Sequence, residues 1–205
     1  MTSTLRRSSR LVFIGAGNMA EALVNGILSA GLRQPGDVAV TDVVKDRLQH
    51  FRDRFGVDAL EDNAAAVKDA GTVVMAVKPQ MFAEAAGQIR AAILPDALVV
   101  SIAAGMPTKR IETLFRAGTA VVRVMPNMPA LIGCGASAFC LGLHAKEADA
   151  ETAGTLLKSV GLVVRLEERL MDAVTALSGS GPAYVFYLAE AMIRAGVEMG
   201  MEPEI

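Results

Sequence analysis

Gly15, Gly17 and Ala20 stand at G-x-G-x-x-A spacing, directly after the apolar run Leu11 to Ile14 and ahead of an Ala/Leu/Ile-rich helical pattern ending at Gly31. Strand, tight turn and helix N-terminus, in that order, seat the pyrophosphate of a dinucleotide. Gly15 makes the turn, Gly17 lets the backbone approach the phosphates, and Ala20 keeps the helix close to its strand. The first-turn N–H groups of such a helix have no partner within it and carry the positive end of its dipole, so they attract an anion. The chemistry implied is that of a nicotinamide cofactor.

Four more unusual loops each follow an apolar run: Thr41-Asp42, Ala76-Val77-Lys78-Pro79, Ser101-Ile102-Ala103-Ala104-Gly105 and Met125-Pro126-Asn127-Met128-Pro129. In an open parallel sheet, ligands bind beyond the carboxyl ends of the strands, so these loops and residues 15–20 are expected to line one crevice. Asp42, about 25 residues past Gly17, falls where a carboxylate accepts from the adenosine ribose hydroxyls. It would repel a 2′-phosphate and so leans toward NADH over NADPH; the alternative is a helix N-cap ahead of Val43. Lys45 and Arg47 are near enough to swing toward a phosphate. Lys78 is a candidate partner for cofactor phosphate or sugar hydroxyls, or else a solvated loop lysine, and Pro79 opens the next helix. Asn127, fixed between two prolines, is a candidate for the nicotinamide ribose or carboxamide, or else an ordinary turn asparagine.

The elements that must position these loops alternate along the chain. Strands are expected near 11–15, 38–41, 72–77, 97–102, 120–125, 135–141 and 161–166. Helices are expected near 18–30, 44–54, 63–69, 79–91, 107–115 and 147–159. Runs such as Thr72 to Val77 and Leu98 to Ile102 are apolar on both faces, which marks a mostly parallel sheet covered by helices on both sides, a Rossmann-type α/β fold. After Glu168 the pattern turns helical, interrupted by Ser178-Gly179-Ser180-Gly181-Pro182, with Pro182 suited to the first turn of a new helix. In that helix Glu190, Arg194 and Glu198 form one narrow charged stripe, and nearly everything else is apolar. Such a helix must be covered on most sides, so an obligate oligomer is expected.

Composition narrows the field. The chain has 205 residues, enough for one domain or two small ones, and 52% of them are apolar, consistent with surface buried against a partner. No segment reaches the ~20 uncharged apolar residues of a membrane span. Residues 1–9 are expected to be a disordered arm, because Arg6, Arg7 and Arg10 are followed by no signal-peptide core. A formal net charge of −2 without a basic stripe argues against nucleic acid. Cys134 and Cys140 lack His or Cys at metal-ligand spacing, and His50 and His144 are isolated, so no metal is expected. Idle thiols fit a reducing, cytoplasmic setting.

With those loops in place, the chain resembles the pyrroline-5-carboxylate reductases, which catalyse the last step of proline synthesis. The motifs that carry the resemblance are FIGAGNMAEAL (13–23), AVKPQ (76–80), VVSIAAG (99–105), RVMPNMPA (123–130) and DAVTALSGSGPAYVF (172–186). The resemblance implies that Ile14, Gly15, Ala16, Gly17, Asn18, Met19, Ala76, Val77, Lys78, Pro79, Ala103, Ala104 and Gly105 bind NADPH or NADH, joined by Asn63. Asp42 departs from the small hydroxyl or basic residues with which many relatives meet the 2′-phosphate. Glu168 and the turn Ser178, Gly179, Ser180 and Gly181 are implied to lie near the substrate. The resemblance also implies a domain boundary, with residues 10–167 binding the dinucleotide and 168–205 beginning an all-helical substrate and dimerisation domain. The resemblance further implies a dimer, or dimers assembled further, through interleaved C-terminal helices. Family members continue into a Ser/Gly/Thr-rich segment that grips the substrate carboxylate, so the pocket within residues 1–205 is expected to be incomplete.

The reaction so implied is hydride transfer from nicotinamide C4 to the C=N carbon of a cyclic imine, giving L-proline. A protonated imine is already electrophilic, and residues 170–205 contain no Lys or His, so no single indispensable general acid is expected within residues 1–205, where the catalytic residue stays unknown. A β-hydroxyacid dehydrogenase or related imine reductase is the enzymatic rival, but alcohol oxidation needs a base, commonly a lysine on the interdomain helix. A catalytically silent cofactor-binding protein is the rival from another class.

Overall fold

In a computed structural model, which describes residues 10–205, the apolar runs become strands β1 (Leu11–Ile14), β2 (Val38–Thr41), β3 (Asp58–Leu60), β4 (Thr72–Met75), β5 (Leu98–Ser101), β6 (Ala120–Met125), β7 (Gly135–Leu141) and β8 (Gly161–Arg165). The arm expected at 1–9 lies outside the described residues. The strands form one sheet in the order β3-β2-β1-β4-β5-β6-β7-β8. The six strands from β3 to β6 run parallel; β7 is antiparallel to β6, and β8 is parallel to β7.

Every position of β1, β2, β4 and β5 is buried, because helices cover both faces. Helices α1 (Asn18–Ser29), α2 (Lys45–Phe55) and α6 (Glu147–Lys158) lie on one side, where Phe13, Leu23, Ile27, Phe51 and Leu157 share a core. On the other side α3 (Asn63–Ala66), α4 (Phe82–Ile89) and α5 (Thr108–Glu112) enclose Ile14, Met75, Phe82, Ile89 and Ile111. Gly26 is where α1 meets the turn before β8: a Cβ there would lie 2.5 Å from Val160 Cγ1.

Two details depart from the sequence-based expectation. Strand β3 was not expected, since three residues at a sheet edge carry no readable period. Second, Ser178 to Pro182 do not break the helical path. Helix α7 (Met171–Val174) runs into a single π-helical turn, Thr175–Gly179, and α8 (Gly181–Glu198) follows with Pro182 in its first turn. The glycines and serines widen the helix here without interrupting it.

Within this chain α8 has no buried residue, and Phe186 and Tyr187 are 65% and 69% exposed. Among the described residues no helix is long and apolar enough to cross a membrane, and no group of three His, Cys, Asp or Glu could hold a metal ion.

Candidate active site

The strand order reverses direction between β1 and β4, and in open parallel sheets ligands bind beyond the carboxyl ends of the strands at such a switch point. Backbone bonds hold the strand ends at one level. Gly15 N donates to Thr41 O and Ala76 N to Ile14 O, each at 2.8 Å, and Ile102 N donates to Met75 O at 3.2 Å. Gly15 adopts φ +104°, and a Cβ would sit 2.7 Å from the Ala76 carbonyl oxygen, so only glycine fits this turn. Gly17 is different: a Cβ there meets nothing within 4 Å. It caps α1 without any side-chain hydrogen bond, and Gly17 and Asn18 are both exposed. A helix N-terminus with open space over its cap is a cradle that fits a pyrophosphate. Met19 is half-buried beside it, whereas Ile14 and Ala16 are buried beneath the turn and shape it from below.

Asp42 closes one side of this cradle. Its Oδ2 accepts from Ala16 N at 2.8 Å and its Oδ1 from Val44 N at 2.9 Å. The alternative of a helix N-cap does not hold, because α2 begins at Lys45 after Val44, which caps without a side-chain bond. Arg47 is not free to swing: its Nε donates to Ala16 O at 2.8 Å and its Nη2 to Glu21 Oε2 at 2.7 Å. Lys45 faces Glu61 at 3.5 Å on the surface.

The opposite rim is formed by Ala76 and Val77, half-buried and touching Gly15, and by exposed Lys78 and Pro79 at the start of a short 3₁₀ turn. Ala103 is buried and donates to Ser101 Oγ at 3.3 Å, while Ala104 and Gly105 are exposed. Asn63 opens α3 and donates to Gln88 Oε1 on α4 at 2.5 Å, outside the bonds that tie the cradle together.

Residues after β6 dock the C-terminal helices onto the sheet. Asn127 Oδ1 accepts from Ala136 N at 2.8 Å, and its Nδ2 donates to the carbonyl and the hydroxyl of Ser178, each at 3.3 Å. Gly179 packs so closely on Met125 that a Cβ would lie 2.4 Å from its Cε. Ser180 and Gly181 are half-buried and join the π turn to α8. Glu168 accepts from Thr108 N at 2.7 Å and from Thr108 Oγ1 at 2.6 Å, and lies 3.4 Å from Arg123 Nη1. Burial alone would push its carboxyl up, but the Thr108 bonds and the Arg123 guanidinium outweigh it and hold Glu168 below the ordinary 4.5. Arg123, almost fully buried on β6, also donates to Asp172 Oδ1 at 2.8 Å. Burial, then the Glu168 charge, push the neighbouring Cys140 thiol up to about 11 against the pull of Arg123.

Arg123 and Glu21 are absent from the sequence-based set. An arginine inside an otherwise apolar strand was a readable signal for the first; nothing local marked the second.

The family described as NADP oxidoreductase coenzyme F420-dependent matches residues 10–105, and that described as pyrroline-5-carboxylate reductase dimerisation matches residues 168–205. The pyrroline-5-carboxylate reductase of Pseudomonas aeruginosa is 41% identical over 196 residues, covering 95% of this chain and 71% of that protein. This chain belongs to the pyrroline-5-carboxylate reductase family. The reductase of Methanosarcina acetivorans is 38% identical over 95% of this chain and 72% of its own length. Solved reductase structures agree with the fold. That of Coxiella burnetii superposes with a TM-score of 0.86 at 32% identity, over 97% of this chain and 74% of that one. That of Plasmodium falciparum, solved with NADP bound, gives 0.84 at 29% identity, over 95% and 71%.

Proposed function

We propose that this protein reduces 1-pyrroline-5-carboxylate to L-proline with NADH or NADPH. Membership of the reductase family carries this reading, and a cradle shaped for pyrophosphate at the sheet's switch point supports it. The reduced nicotinamide, when bound, supplies hydride to the C=N carbon of the imine.

The chain's own residues provide position and field. The backbone of 15–19 receives the pyrophosphate, Asp42 takes the ribose end, and residues 76–79 and 103–105 wall the crevice, with Lys78 offering a free cation. The Asn127–Ser178 and Arg123–Glu168 contacts hold residues 168–181 against the sheet, so the substrate side keeps its place relative to the cofactor. Within residues 170–205, which contain no Lys or His, protonation of the ring nitrogen falls to backbone or hydroxyl donors.

Residues 10–167 act as the dinucleotide-binding unit and 168–205 as the start of the helical substrate and dimerisation unit. The apolar face of α8 is the surface through which two copies associate, in keeping with the dimerisation family matched there. Two free cysteines favour a reducing, cytoplasmic setting. Asp42, already anchored beside Ala16, favours NADH. The test is loss of reduced-nicotinamide absorbance on adding 1-pyrroline-5-carboxylate, run in parallel with NADH and NADPH. Imine-dependent oxidation, faster with NADH, is expected; cofactor binding without it would favour a silent binding protein.

A further inference from the structure

Glu21, in the first turn of α1, is a carboxylate hub that the proposed reaction leaves without a role. Its Oε2 accepts from Arg47 Nη2 at 2.7 Å; its Oε1 accepts from Arg54 Nη1 at 2.6 Å and lies 3.0 Å from His50 Nε2. The Glu21 side chain is only 15% exposed and that of Arg47 30%, so the contact between these two is partly shielded from solvent. The guanidinium of Arg47 also lies over the Phe51 ring, 5.6 Å from its centroid, and its Nε holds the Ala16 carbonyl. Ala16 is the residue whose N–H Asp42 accepts. Asp42 and Arg47 therefore grip the two polar ends of one residue in the phosphate turn.

That arrangement bears on the choice between the two dinucleotides. The carboxylate at the end of β2 receives the ribose hydroxyls, and a nearby arginine is the usual partner for a 2′-phosphate. Arg47 is linked to Asp42 through Ala16, yet its guanidinium is paired with Glu21 on α1. We propose that Glu21 is a specificity-determining residue, which disfavours NADPH by withholding Arg47 from the 2′-phosphate. This rests on the reductase reading and adds to the role of Asp42, since the repulsion by one carboxylate is reinforced by the sequestration of the cation that could offset it. Glu21 touches no substrate; it acts through Arg47.

The test is a fluorescence titration of NADH and NADPH against wild type, Glu21→Gln, Arg47→Gln and the double variant. In Glu21→Gln, NADPH affinity relative to NADH should rise about fivefold, the scale of one uncompensated charge near a doubly charged phosphate at the surface. The gain should vanish in the double variant, because its coupling runs through Arg47. Arg47→Gln alone should weaken both dinucleotides together, by loosening Ala16. An unchanged ratio in Glu21→Gln, or a gain that survives loss of Arg47, overturns the proposal. Wild type that binds neither dinucleotide overturns the reductase reading and this proposal with it.

Discussion

The side-chain amide of Asn127 reaches Ser178, 51 residues away, and meets both its carbonyl and its hydroxyl at 3.3 Å. The same side chain receives the N–H of Ala136 from β7. One asparagine thus ties the loop after β6, strand β7 and the π turn into a single junction. Replacing Asn127 by Ala leaves the Ala136 N–H without its acceptor and should cost about 1–3 kcal/mol of stability. Urea unfolding reads that loss. If the junction also positions the substrate side, the KM for the imine rises more than the KM for the dinucleotide.

Glu168 links α5 to Arg123 through a carboxylate held below its ordinary value by Thr108 and the guanidinium. As pH falls, the unfolded chain takes up this proton before the folded chain does. The stabilisation is therefore present above pH 4.5 and is lost as pH drops through the depressed folded value. Denaturation midpoints followed downward from neutral pH should fall less steeply in Glu168→Gln than in wild type. Parallel curves would remove Glu168 from the acid transition.

The two cysteines should differ in reactivity. Cys134 is exposed, whereas Cys140 is buried beside Arg123 with its thiol pushed up to about 11. An aromatic disulfide reagent at mildly alkaline pH should titrate one thiol rapidly in the native protein and the second only after denaturation. Because the folded value of Cys140 exceeds the ordinary 9.0, its contribution to stability is complete below pH 9 and declines as pH rises toward 11.

The exposed side of α8 makes its own demand. Phe186 and Tyr187 leave large aromatic surfaces uncovered within one chain. Phe186→Asp should weaken self-association at least about tenfold, as expected for an aromatic anchor replaced by a charge. Sedimentation equilibrium of wild type and variant reads the shift; a wild-type monomer at micromolar concentration would contradict association through this helix.

Much of this architecture is legible along the chain because parallel strands buried on both faces announce themselves as apolar runs. The phosphate turn is equally readable, since Gly15 is required by φ and by the Ala76 carbonyl at once. Strand β3 escapes because Asp58, Ala59 and Leu60 are too few to display alternation. The Ser178–Pro182 stretch looks like a break because glycine and serine are poor helix formers, yet packing of Gly179 on Met125 keeps the backbone helical. The bonds of Asn127, and the three basic partners of Glu21, join residues 9 to 51 positions apart or cross between helices, and no local pattern specifies them. Asp42 and Arg47 both stand out in sequence near the ribose end, but their shared grip on Ala16 depends on the packing of α1 beside α2.

Hydride transfer to the imine carbon is tested most directly by following an isotope label. The protein would be incubated with 1-pyrroline-5-carboxylate and NADH carrying deuterium at both C4 positions, and the product examined by NMR. One deuterium on the ring carbon of L-proline next to nitrogen, opposite the carboxylate-bearing carbon, is the predicted result. Oxidised cofactor without labelled proline, or bound cofactor that is never oxidised, would contradict it.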